Sequence, residues 1–395
     1  MPMRFKLNID YPLDQAKCSQ ARLSARADYK YVDRVPVGFC IAPRFFAAEF
    51  GLTYKEFFKD AETQYYWLLQ FAKYLLENIP QDLVCDIPNI SVGPYFDNVV
   101  NASAFGAEII WPENETLHAI PTVKSVEQME RMEIPSVDAG LWSRVAEWQQ
   151  RMTELARQTR VTFNGREGNV KVVPPDIGGE GPHMVAIDLV GTDFYWWMVE
   201  YPRACHRFLD KITTGMIAAK ENFRRMDSRP RGGFGLAEDS AQTMSLEMFR
   251  EFCGPYDNRM YDTFDKGLRF GRGMHMCGDS THLHGALVKD LRITTFDAFG
   301  CRVSPSVAAK NLGGRMLLWG NIDPMLMRNA SKAQVKQACM EALKAMAPCG
   351  GLLLGDGANV CPDTPLENMA VFTEASEEYG LPDLAYSSQA DNKTY

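Results

Sequence analysis

From Gly233 onward the chain alternates short apolar runs with longer stretches of helical periodicity, and this alternation limits the possible folds more than any other feature. The runs span 233–237, 268–276, 293–301, 315–324 and 351–357, each ending in glycine or polar residues. Between them lie helix-like segments at 245–264, 280–291 and 332–347, the last opening with Ser331 and Gln334 in a capping-box arrangement. A final helix is expected from Thr364 as N-cap, with Pro365 next and Glu367 three residues on. Strands joined by helices form a parallel sheet, and an unbroken series of such units reads as an α/β protein of the (β/α)8 TIM-type barrel class. A chain of 395 residues suits one barrel with insertions. The expected organisation is an N-terminal arm at 1–32, a barrel at 33–380 with an inserted excursion around 105–160, and a C-terminal tail at 381–395. Upstream strands are read at 34–41, 83–87 and 170–173, and helices at 54–79, 141–158 and 192–226.

A net charge of −8 and a pI near 5.4 exclude a phosphate-backbone binder, which needs a basic stripe, so no nucleic acid is implied. No segment reaches about eighteen uninterrupted apolar residues, so no membrane is implied and a cytoplasmic location is expected. Ten cysteines scattered singly are expected to remain thiols.

The chemistry concentrates at 273–281, Gly-Met-His-Met-Cys-Gly-Asp-Ser-Thr, where a strand hands over to a helix. Residues two apart on a strand point the same way, so His275 and Cys277 share one face while Met274 and Met276 pack behind. An imidazole and a thiolate at one point suit Zn²⁺, although buried His and Cys residues on a strand are also ordinary core. Glu238 and Asp239 end the preceding strand. Adjacent carboxylates there either face the same site, as catalytic groups, or cap the following helix. Arg44, Tyr95 and Asn321 follow other strands and are the candidate substrate contacts, with Phe96 and Trp111 as further stacking surfaces. His282 and His284 lie beyond the strand and are read as surface or packing residues, and the 194–197 aromatic cluster as core.

Several motifs in order, His275-Met-Cys277-Gly-Asp, Gly320-Asn-Ile-Asp-Pro324, Gly350-Gly-Leu-Leu-Leu, Pro362-Asp-Thr-Pro-Leu-Glu-Asn368, Asp33-Arg-Val-Pro36 and Phe105-Gly-Ala107, carry a resemblance. The chain resembles the uroporphyrinogen decarboxylase superfamily, and within it the corrinoid-linked methyltransferase branch. The resemblance implies a barrel whose C-terminal face receives a methyl carrier, and a zinc held by His275, Cys277 and a later cysteine. At the position implied for that third ligand stands Ala358, which argues against porphyrinogen decarboxylation. Cys301, then Cys361, are the candidate replacements, with Glu238 and Asp356 as oxygen alternatives. The resemblance implies a zinc-dependent methyltransferase moving a methyl group between a small methylated compound and a corrinoid cofactor (cobalamin) on a partner corrinoid protein. An aryl methyl ether, handled by an O-demethylase component, is favoured. Transfer to a thiol or folate-like acceptor is one alternative, and a non-catalytic corrinoid-binding protein another. A homodimer is compatible with this reading.

Overall fold

The computed structural model describes residues 4–84, 87–226, 233–265 and 271–384. Its regular part is a parallel ladder whose spatial order follows the sequence, and the strands among the described residues are numbered along the chain. The side and insertion strands are β1 (Phe5–Ile9), β2 (Asn89–Val92), β3 (Glu108–Ile110), β4 (His118–Ile120), β5 (Thr159–Phe163) and β6 (Arg166–Val172). The ladder is β7 (Phe234–Ala237), β8 (Arg272–His275), β9 (Thr295–Asp297), β10 (Leu317–Ile322) and β11 (Leu352–Asp356), each pairing with the next. Strands covered by helices on one face and core on the other carry long buried runs, and β11, Leu-Leu-Leu-Gly-Asp, is buried at every position.

The fold is a (β/α)8 barrel, but its first half is built from shorter pieces than the sequence suggests. The strand expected at 34–41 is a single bridge, Val37 to Leu354, supported by hydrogen bonds from the Gly38 N–H to the Leu354 carbonyl (3.0 Å) and from the Leu354 N–H to the Pro36 carbonyl (2.9 Å). On the other side Glu180 bridges Ala237 in parallel. Of the strand expected at 83–87, Cys85 and Asp86 lie outside the described residues, Leu83 and Val84 are not in a strand, and pairing begins at Asn89, where β2 runs parallel to β6. Residues 268–270 and the tail beyond 384 also lie outside them.

Expected to be irregular, the N-terminal arm instead holds β1 and the helix Leu13–Ala27. β1 adds to β5, which pairs antiparallel with β6, making a four-stranded sheet in the order β1-β5-β6-β2. A buried carboxylate clamps this arm to the barrel. Asp82, 1% exposed, accepts from Ser19 Oγ (2.8 Å), Arg22 Nη1 (3.0 Å), Arg34 Nη1 (2.7 Å) and the Val37 N–H (2.8 Å). A buried charge is tolerated because two guanidiniums and two further donors surround it. Between Phe105 and Arg157 the excursion contains the antiparallel β3–β4 pair and the helices Val126–Arg131 and Leu141–Ala156.

Helix boundaries differ from expectation in several places, including a break at Tyr201 between Asp193–Glu200 and Pro202–Met226. The 54–79 helix restarts at Asp60, whose carboxylate caps the Thr63 N–H (2.7 Å). The 245–264 helix breaks at Cys253 into Leu246–Phe252 and Gly254–Asp265. The last helix, Leu366–Tyr379, has Pro365 at its N-cap, because the Thr364 hydroxyl donates to the Cys361 carbonyl (2.7 Å) and does not cap. Among the described residues, no helix is long and apolar enough to cross a membrane.

Candidate functional site

Strand register builds the site. Ala237, His275 and Asp297 are paired across β7, β8 and β9, so they stand in one row at the strand ends. Side chains in a row or one step beyond it meet at the barrel mouth. Met274 and Met276 are fully buried, as alternation requires, and His275 Nε2 lies 2.9 Å from Cys277 Sγ. His275 Nδ1 lies 3.3 Å from Asp297 Oδ2, and the Cys277 N–H donates to Asp239 Oδ1 (2.6 Å). Asp239, His275 and Cys277 each present a donor atom within 4.8 Å of the other two, and all three are partly exposed.

Burial opposes charge on His275, but its hydrogen bonds to Asp297 and Cys277 outweigh that and hold its pKa up to about 11. Burial raises the Cys277 thiol, and the His275 charge pulls it back only in part. Asp297 thus holds the ring at Nδ1 while Nε2 lies against the Cys277 sulfur. This donor set fits zinc, which accepts imidazole, thiolate and carboxylate in one shell. With Asp297 on Nδ1, the other ring nitrogen faces the sulfur, the arrangement a carboxylate imposes on a ligating histidine.

The two carboxylates read as a pair from the sequence part company. Asp239 joins the mouth, while Glu238 is fully buried with Cys253 and Asp257. Neither caps the helix that follows, since Ser245 caps it by accepting from the Met248 N–H (3.2 Å). Neither cysteine proposed as a replacement ligand belongs to the three-donor group. Cys301 is near enough for Cys277 to raise its thiol pKa, after burial and Asp323. Cys361 Sγ instead faces Met325 Sδ at 3.8 Å. Ala358 offers no donor. Asp356, wholly buried, accepts from the Cys40 N–H (2.8 Å), and its Oδ2 has no partner. Burial pushes its pKa up to about 7, against the pull of the nearby His275 charge.

Asn321 does not present its amide nitrogen to the mouth. That nitrogen donates to the Gly300 (2.9 Å) and Val303 (2.7 Å) carbonyls, which fixes the loop beyond β9 against Cys277. Tyr95 is tied by its backbone to Gln64 in both directions (2.9 Å each), and its phenol, pushed up by burial and by Asp97, also feels Cys40. Asp97 accepts from the Tyr54 hydroxyl (2.9 Å), and the Arg44 charge acts on it. Arg44 and Tyr95 therefore belong to one polar cluster beside Cys40. Phe96 is core, packed on Phe58 and Trp148, and Trp111 packs on Phe58 beneath Arg144, so neither is a free stacking surface. Of the 194–197 aromatics, Phe194 and Trp197 are buried but Trp196 is 64% exposed. His282 bonds the Met244 carbonyl (2.8 Å), and His284 is buried beside Asn311.

Sequence reading missed Asp297 and Cys40. The only signal for Asp297 was its place at a strand end in register with His275, and register is not visible along a single strand. A groove of about 810 Å³, lined by Phe5, Asp60, Tyr66, Trp148, Arg151 and Glu154, contains none of these site residues.

Comparison with known proteins gives the same setting. The uroporphyrinogen decarboxylase (URO-D) family model matches residues 19–379. The chain is 26% identical over 211 residues to a methylated-thiol–coenzyme M methyltransferase of Methanosarcina mazei, covering 51% of this chain and 52% of that protein. It is 28% identical over 214 residues to the methylcobamide:CoM methyltransferase MtaA of Methanosarcina barkeri (52% and 58%). It is 26% identical over 189 residues to a uroporphyrinogen decarboxylase of Xanthomonas axonopodis (44% and 49%). The matches thus span about half the length of these curated relatives. A solved methyltransferase structure from Methanosarcina mazei superposes with a TM-score of 0.65 at 19% identity, over 92% of this chain and 99% of that one, a likeness of fold.

Proposed function

Because the chain belongs to the uroporphyrinogen decarboxylase family, we propose that it is a zinc-dependent methyltransferase exchanging a methyl group between a small compound and a corrinoid carried by a partner protein. The observation that carries this reading is the convergence of Asp239, His275 and Cys277 at the open end of the barrel, with Asp297 behind the imidazole. His275 Nε2, Cys277 Sγ and an Asp239 oxygen would hold the ion. Three protein ligands leave one position for substrate, the pattern of catalytic zinc sites. Bound there, zinc supplies Lewis acidity, lowering the pKa of a substrate thiol or polarising an ether oxygen.

The chain's own residues do the rest. Asp297 fixes the imidazole tautomer by accepting from Nδ1–H, and the Cys277 N–H restrains one Asp239 oxygen, leaving the other for the ion. Arg44, Tyr95 and Asp97 form the polar wall beside Cys40 that orients a substrate head group.

Two substrate classes compete. A thiol is favoured by the relatives, whose names specify methylated thiols and CoM. An aryl methyl ether is favoured by the carboxylate in the donor set, because fewer thiolates leave the ion harder and better matched to oxygen. Incubation with cob(I)alamin or methylcobalamin, each with thiols and with aryl methyl ethers, separates them through the cobalamin spectrum. Demethylation of an ether by cob(I)alamin selects the second class and demethylation of methylcobalamin by a thiol the first. No spectral change with any pairing, on zinc-loaded protein, refutes methyl transfer.

A further inference from the structure

A second cluster of metal-binding side chains lies behind the first, between the end of β7 and the helix Gly254–Asp265. Glu238 and Asp257 are 0% exposed and Cys253 is 1% exposed, and one donor atom of each lies within 4.8 Å of the others. Cys253 Sγ donates to Asp257 Oδ2 (3.3 Å). Asp257 Oδ1 and both Glu238 oxygens make no hydrogen bond of normal geometry, although the His183 backbone N–H acts on Glu238. Glu238 comes from a different element and points into the Cys253–Asp257 pair. Its place is tightly defined, since a Cβ on Gly181 would lie 1.8 Å from Glu238 Oε1.

Among the described residues of this region, the buried cation Arg272 is held by other partners. Arg272, fully buried, donates to Asp262 Oδ1 (2.6 Å), the Leu291 carbonyl (3.0 Å) and Asn258 Oδ1 (3.1 Å). The Tyr261 hydroxyl donates to the Gly273 carbonyl. The charged neighbours acting on Glu238 are Asp257 and Asp239, both acidic. Two buried carboxylates without a cation are strongly unfavourable. One shared proton would join one oxygen of each while the Cys253 S–H donates to Asp257, which leaves the second Glu238 oxygen with no more than the pull of the His183 backbone N–H. A divalent cation accepts all of these donors together.

We propose that Glu238, Cys253 and Asp257 form a second metal site, closed to solvent and suited to zinc. With both Glu238 oxygens available, three residues offer the four donor atoms a structural zinc takes. Cys253 binds as thiolate and releases its proton to solvent. No position stays open for substrate, so this site holds β7 and its helix together, and through the next residue it sets the position of Asp239. Its existence does not rest on the proposed reaction.

The test is zinc content of the full-length chain, supplied with zinc and desalted, read by mass spectrometry beside the melting temperature. The wild type is expected to hold two equivalents per chain and His275→Ala one. Cys253→Ser and Asp257→Asn are each expected to hold one, with a lower melting temperature. If the trio shares a proton instead, the amide introduced by Asp257→Asn replaces the protonated acid. Zinc content and melting temperature of Asp257→Asn then match the wild type, and the proposal is overturned. A single wild-type equivalent that disappears with His275→Ala overturns it equally. One equivalent that survives His275→Ala and is lost in Asp257→Asn upholds this site and counts against the methyl-transfer reading.

Discussion

Two groups of side chains of metal-ligating type sit back to back across one peptide unit, Asp239 with His275 and Cys277 at the mouth, and Glu238 with Cys253 and Asp257 in the wall. Their chemistry is similar and their exposure is not: the first is partly open and the second sealed. Donors in contact with solvent can exchange a ligand and so can act on a substrate. Sealed donors must be satisfied permanently, so their contribution is to stability. Each substitution below asks whether a residue behaves as the open group or the sealed one.

The largest effect is expected at the open group. His275→Ala should lower methyl transfer by more than about 1000-fold, equivalent to about 4 kcal/mol, while the melting temperature moves little. A melt displaced as far as that of a core variant would mean that the mouth is merely structural. Asp82 is a sealed charge with its cations in place, so Asp82→Ala should leave buried Arg34 without its carboxylate, while Arg22 keeps Asp33, and cost about 3–5 kcal/mol in denaturant unfolding. Activity per folded molecule should be unchanged.

Glu180 is a sealed carboxyl, accepting from Asn101 Nδ2 (2.7 Å), whose pKa burial raises to about 8 from an ordinary 4.5. A carboxyl raised in the native state keeps its proton longer than in the unfolded chain. Stability is therefore undiminished below pH 4.5 and declines as pH climbs from there to about 8. Glu180→Gln should raise the melting temperature at pH 8 and leave it nearly unchanged at pH 4.5. An equal change at both values would mean that the carboxyl does not titrate in this range.

Asp297 lies between the two behaviours, acting on the ion only through His275. Asp297→Asn should weaken zinc at the mouth by about 10–100-fold in chelator competition, with stability little altered. An effect of similar size, on stability alone, is expected at Asn321. Asn321→Ala leaves the Gly300 and Val303 carbonyls without their donor and should cost about 1–3 kcal/mol in unfolding. If Asn321 contacts substrate instead, KM rises while stability stays level.

Much of this was legible along the chain, and the division has a physical basis. The five strands from β7 to β11 could be read because each is an apolar run flanked by a helical pattern, and period and length are local properties. The first half was harder. Its strand at Val37 is one bridge long, and β1 and β5 pair across 154 positions of sequence, which no local period records. Residue type and strand spacing single out His275 and Cys277 as metal ligands, and the family resemblance adds Cys301 and Cys361 as candidates for a third. Only the first two belong to the three-donor group: Cys361 faces Met325, and Cys301, although near Cys277, is not part of it.

What the sequence by itself determined is that His275 and Cys277 face one way, since side chains two apart on an extended backbone must. It also determined that a long run of strand–helix units closes into a barrel. Only the tertiary structure decided which of two neighbouring carboxylates joins them. The register that sets Ala237 beside His275, and His275 beside Asp297, turns Asp239 toward the opening and Glu238 into the wall. Register arises from packing between segments far apart in the chain, so adjacent residues of like chemistry come to opposite uses.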